Sequence, residues 1–114
     1  MNYADEYQNL AARTLIDAPS VAPTDAEVML VWNALGAAGE AGEIADLVKK
    51  AVFHRHDLGR DKLVEEIGDC LWYLAALCTG LGVPLSEAMA RNIEKLRRRY
   101  PAGYSAEASR NRTA

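Results

Sequence analysis

The sequence has little of what marks the specialised protein classes: two cysteines, two histidines, four prolines and one phenylalanine in 114 residues. Cys70 and Cys78 lie eight apart on one expected helix, about 12 Å by helical rise, which is beyond disulfide reach. They read as small buried hydrophobes. The longest apolar run, Cys70 to Cys78, is far too short to cross a bilayer. No basic segment followed by an apolar stretch opens the chain. These absences lead us to expect a cytoplasmic protein with no membrane partner. A strong excess of charge is also missing, the formal net charge being −3. Arg97-Arg98-Arg99 offers a short basic face, but without a stacking motif and on an acidic chain it does not predict nucleic-acid binding.

Half of the residues are apolar and a quarter are charged, as in ordinary globular proteins. At this length we expect one domain over residues 1–104, small enough for association between copies to help cover its apolar surface. Residues 105–114 show no apolar pattern and are expected to form a disordered tail. Charge is unevenly spread. Residues 1–90 carry 14 acidic and 6 basic side chains, and residues 91–114 carry 2 acidic and 7 basic ones. An anionic ligand suits the junction of acid-bound cations and such a basic end.

Helical spacing predicts an all-α chain of four helices with a central antiparallel hairpin. Tyr3, Tyr7, Leu10 and Thr14 place a first amphipathic helix over Asn2 to about Ile16. Two prolines in five residues, Pro19 and Pro23, make the next segment a linker. Thr24 and Glu27 fit a capping box, from which a long helix runs to about Val52. Its Gly36, Gly39 and Gly42 each weaken a helix by about 1 kcal/mol relative to alanine. Close approach of a neighbouring helix or ligand is the expected compensation.

Phe53 to Gly59 reads as the hairpin loop, and its His54 and His56 as solvated residues, with His54 or Arg55 in reach of a substrate. A third helix follows from about Arg60 to Leu81, apolar on nearly every face, which calls for cover on more than one side. Gly80, Gly82 and Pro84 end it. The fourth helix runs from about Pro84 to Arg99, stopped by Pro101. It carries Asn92, Lys95 and Arg99 on one face, an arrangement suited to phosphate oxygens.

Two carboxylate pairs stand out on the hairpin. Glu40 and Glu43, and Glu66 and Asp69, are each three apart, so each pair shares a helix face with Cβ atoms roughly 5–6 Å from each other. Either pair alone is an ordinary solvated feature. Glu40 and Glu43, however, sit among glycines and alanines, and Asp69 abuts the most apolar stretch, where a carboxylate needs a partner. Four converging carboxylates with oxygen-only donors suit Mg²⁺ or Mn²⁺. A di-iron bundle would need Glu-x-x-His pairs, and neither acidic pair has a histidine three residues on.

These motifs, together with Ala34 to Lys50, Glu66 to Leu74 and Asn92 to Pro101, resemble the MazG-like group of the all-α nucleoside triphosphate pyrophosphohydrolases. The resemblance runs from about Tyr7 to Tyr104. It implies a helical dimer, or dimer of dimers, whose chains combine into a larger bundle and hydrolyse nucleoside triphosphates to monophosphate and pyrophosphate with Mg²⁺. It further implies Glu40, Glu43, Glu66 and Asp69 as metal ligands and Asn92 and Lys95 as phosphate contacts, with Lys50, Arg99 and Tyr100 beside them. Glu43 and Lys95 are the expected catalytic side chains, the first as proton acceptor and the second on the leaving pyrophosphate. Gly39 stands where dUTPase-like relatives carry an acidic residue. The rival reading is a non-catalytic helical interaction module of the same fold. Trp32 and Trp72 are candidates for stacking a nucleobase, with core packing or the dimer seam as the alternative for Trp72.

Overall fold

The computed structural model describes residues 2–112. Five helices follow one another: α1 (Tyr3–Ala12), α2 (Asp25–Phe53), α3 (Arg60–Leu81), α4 (Leu85–Arg99) and α5 (Ala106–Arg110), with no strand among the described residues. The architecture is all-α, as expected. The fifth helix lies within the segment expected to be disordered. It is one short turn, started by Ser105, whose hydroxyl accepts from the Ala108 amide at 3.0 Å.

Local signals explain most boundaries. The Asn2 side chain accepts from the Asp5 amide at 2.9 Å and starts α1, which ends at Ala12 rather than near Ile16. Beyond Ala12 the backbone tightens into i→i−3 bonds at Arg13, Thr14 and Leu15, and the Thr14 hydroxyl donates to the Ala11 carbonyl. Both halves of the Thr24–Glu27 capping box form, at 2.9 and 3.1 Å. Gly59 precedes α3 in the left-handed region, as does Gly82 after it. At that second point the Val83 amide bonds back to Cys78 and the Gly82 amide to Thr79, closing a Schellman turn.

α2 and α3 are the body of the fold. Leu30 meets Gly80, Gly36 meets Tyr73 and Glu40 meets Glu66, so the two helices run antiparallel in a register that pairs early α2 with late α3. The α3 axis turns 103° into α4, which touches α3 only sparsely. A Cβ at Gly36 would overlap the Tyr73 ring, so this glycine is required by the close approach expected of it. An added Cβ at Gly39 or Gly42 would meet nothing within 4 Å, so for these two no close approach is made within one chain. Each step of three residues turns the helix 60° short of a full revolution, carrying them off the face that meets Tyr73.

One chain does not enclose a core. Among the described residues no apolar side chain is fully buried, and Glu66, at 6% exposure, is the single buried residue. The radius of gyration is 20.4 Å, against about 13 Å expected for a compact domain of this length. Among the described residues, no single helix is long and apolar enough to cross a membrane.

Candidate metal centre and nucleotide site

The hairpin register brings the acidic motifs together. Glu40 from α2 and Glu66 and Asp69 from α3 place one carboxylate oxygen each within 4.8 Å of one another. Glu66 and Asp69 share a face because they are three apart. Glu40 joins them because antiparallel packing puts the middle of α2 opposite the first half of α3.

Glu66 is held by two partners. The Lys62 ammonium, one turn earlier, lies 3.0 Å from its Oε1, and Glu40 hydrogen-bonds to it from across the hairpin. Lys62 first, and then the Glu40 bond, hold the Glu66 carboxyl below its usual range. Glu40 is pushed above its usual range by the same shared bond first, then by desolvation, and then by the charges of Glu66, Asp69 and Glu43. A bond shared between two carboxyl groups needs a proton, and the opposite directions of their shifts make Glu40 the group that holds one more readily. Lys62 rises because Glu66 stabilises its charge. In the metal-free chain the Lys62 ammonium thus offsets part of the converging negative charge.

The donor set fits a hard divalent cation. Opposite oxygens on one Mg²⁺ are at most about 4.2 Å apart, and the three carboxylate oxygens are already within 4.8 Å. Small side-chain rotations close the difference. Glu43 lies one turn beyond Glu40, outside the three-carboxylate cluster but near enough for its charge to act on Glu40 and on Lys50. A cavity of about 400 Å³ opens on the cluster, lined by Glu40, Asp69, Trp72 and Tyr73.

The other expected site residues are placed elsewhere. Asn92 and Lys95 share a groove of about 570 Å³ on α4 with Arg91, Glu94 and Arg98. That groove shares no lining residue with the carboxylate cavity. Arg99 is absent from its lining, and the Arg99 Nε is buried without a hydrogen-bond partner. Tyr100 packs on Tyr104, with ring centroids 5.4 Å apart. Lys50 is engaged on its own helix by Asp46 at 2.7 Å. Sequence reasoning missed Lys62, although its place four residues before Glu66 is a standard ion-pair spacing.

Residues 33–104 match the family description "MazG nucleotide pyrophosphohydrolase domain", a span that holds every carboxylate of the cluster and the basic face of α4. The chain belongs to the MazG family. It is also 38% identical over 105 residues to the "Gene 37 protein" of Mycobacterium phage L5, covering 89% of this chain and 91% of that one. No solved structure matches it significantly. Membership makes it a relative of nucleotide pyrophosphohydrolases, a MazG group that generally uses a divalent metal, and the three-carboxylate cluster is where this MazG chain has the donors for one. α1 and Trp32 lie outside the matched span.

Proposed function

We propose that this MazG protein hydrolyses nucleoside triphosphates to monophosphate and pyrophosphate, with Mg²⁺ as the natural ion and Mn²⁺ able to replace it. The convergence of Glu40, Glu66 and Asp69 carries this reading. Their role, joined by Glu43, is to hold the ion. When bound, it counters the negative charge of the phosphate chain and makes water a stronger nucleophile near neutral pH. Glu43 is free of the three-carboxylate cluster and suits the role of proton acceptor for a water attacking the α-phosphorus. Lys95 and Asn92 bind the leaving pyrophosphate, with Arg99, Lys50 and Tyr100 in supporting roles at the edge of the site.

Two observations support an assembly of copies. The α2–α3 pair leaves Leu35, Ile67, Leu71 and Leu74 exposed, enough apolar surface to need cover. The basic groove and the carboxylate cavity are separate on one chain, so a second copy, in a dimer or dimer of dimers, is the means of bringing basic side chains to the phosphates. We place this activity in the cytoplasm, acting on the nucleotide pool.

The test is incubation of the purified protein with ribo- and deoxyribonucleoside triphosphates and Mg²⁺, with product identification and an EDTA control. Monophosphate and pyrophosphate in equal amounts, lost in EDTA and restored by Mg²⁺ or Mn²⁺, are expected. Undiminished turnover in chelator, or no turnover of any triphosphate, contradicts the reading; the second result favours a non-catalytic helical module.

A further inference from the structure

We propose that the nucleoside end of the substrate lies in the groove beyond Trp72, its base stacked on the Trp72 indole and its polar edge facing Asn33. This rests on the reading above and adds where the base is held.

Trp72 is the common wall of two cavities. One is the 400 Å³ cavity of Glu40, Asp69 and Tyr73. The other is a groove of about 450 Å³, lined beyond Trp72 by Met29, Asn33, Ala75, Ala76, Thr79 and Gly80. The groove continues the carboxylate cavity along the hairpin: on α3, Asp69, Trp72, Ala76 and Thr79 follow at steps of three, four and three, and on α2, Asn33 and Met29 lie seven and eleven residues before Glu40. Asp69 and Ala76 are separated by about 10 Å of helical rise. A ribose and base extending from an α-phosphate at the carboxylates reach along this line.

The lining suits a flat heterocycle. Ala75, Ala76 and Gly80 leave the floor open, and Gly80 is set by Leu30, whose Cδ2 would lie 3.0 Å from an added Cβ. The indole is 63% exposed, yet it is braced edge-on by Tyr73, with centroids 5.0 Å apart and planes at 86°. Ring surface is therefore open to a flat ligand. No hydrogen bond among the described residues engages the Asn33 side-chain amide, which can donate and accept at a base edge. The Thr79 hydroxyl donates to the Ala75 carbonyl at 3.2 Å, leaving its lone pairs to accept.

A second copy is the rival occupant, and two features disfavour it. Covering Asn33 with apolar surface would leave its side-chain amide without partners. The apolar stripe that needs cover also lies elsewhere: Leu74 and Ile67 are roughly 140–160° around α3 from Trp72.

The test uses the full chain carrying Trp32→Phe, which leaves Trp72 as its one tryptophan. It is titrated with α,β-methylene nucleoside triphosphates and, separately, with inorganic tripolyphosphate, both with Mg²⁺. Saturable quenching of Trp72 by the nucleotides but not by tripolyphosphate is expected. In calorimetry, Trp72→Ala should weaken nucleotide binding about tenfold, as loss of one stacked base does, and leave tripolyphosphate affinity unchanged, while Trp72→Phe restores most of the loss. Equal weakening for both ligands, or nucleotide binding without any change in Trp72 emission, overturns the proposal. So does a fall in mass by light scattering on Trp72→Ala, which would place the indole in a subunit seam. Wild-type turnover with an unaltered Trp72→Ala KM removes the groove and keeps the hydrolase; absence of wild-type turnover removes the hydrolase itself.

Discussion

Lys62 Nζ sits 3.0 Å from Glu66 Oε1, giving the one buried side chain among the described residues a positive partner inside the candidate metal centre. The ammonium and a divalent ion draw on the same carboxylate. Lys62→Met should therefore lower the melting temperature in EDTA, where Glu66 loses its partner, and lower it much less in Mg²⁺. It should also tighten Mg²⁺ binding by up to roughly tenfold, since a positive charge leaves the site. Thermal scans with and without Mg²⁺ check this, and an equal decrease in both would separate Lys62 from the ion.

The raised Glu40 carboxyl gives the site a pH dependence. Glu40 is raised, so its contribution to the stability of the metal-free chain is complete below the ordinary carboxylate range and is lost as pH rises through its elevated value. Glu66 is lowered, so its contribution is present above that range and is lost as pH falls through its depressed value. A cation competes with any proton that Glu40 holds. Apparent Mg²⁺ affinity should rise with pH through the Glu40 titration and then level off. Calorimetry in two buffers of different ionisation heat should detect proton release on the acid side, and affinity independent of pH there would contradict the shared bond.

The glycines of α2 separate by surroundings. Gly36→Ala gains about 1 kcal/mol of helix propensity but forces a methyl into the Tyr73 ring, at a cost of about 1–3 kcal/mol. It should be net destabilising in urea unfolding. Gly39→Ala meets nothing within 4 Å and should stabilise by up to about 1 kcal/mol. A destabilising Gly39→Ala would mean that a second copy packs there.

Much of the hairpin was legible because its signals are local. Thr24 and Glu27 form the box their spacing predicts, and Gly82 ends α3 where it was expected. The carboxylate cluster was legible in outline, since i, i+3 spacing sets a shared face; that Glu43 stands apart from the other three depends on packing. Helical spacing likewise put Asn92 and Lys95 on one face, but it carries no information on the 103° turn between α3 and α4, and the α4 groove has no lining residue in common with the carboxylate cavity. Arg99 illustrates the same limit: the groove takes Arg91 and Arg98 instead. The short α5 was missed because a single capped turn has no period to read.

The exposed apolar surface predicts the state in solution. A chain of 12.4 kDa with no fully buried apolar residue among those described should not persist alone. Light scattering at micromolar concentration should give two or four times the chain mass. Ile67→Lys or Leu74→Lys should reduce it or prevent folding, and a stable wild-type monomer would contradict the assembly.

The position of cleavage tests the roles given to α4. If Lys95 and Asn92 hold two phosphoryl groups while the carboxylates face the third, the α–β bond breaks and pyrophosphate leaves as a unit. Reaction in ¹⁸O-labelled water should put label in the nucleoside monophosphate and none in pyrophosphate. Lys95 lies on a solvent-facing groove of α4, so Lys95→Ala should leave the melting temperature nearly unchanged. It should slow turnover roughly 10- to 100-fold, because the lysine meets charge that grows on the leaving group. Asn92→Ala should act in the same direction more weakly, since an amide brings a dipole where lysine brings a full charge. Orthophosphate with accumulating diphosphate would show that the γ-phosphate is cut instead, and the basic face of α4 would then lose its role on the leaving group even with the carboxylate cluster intact.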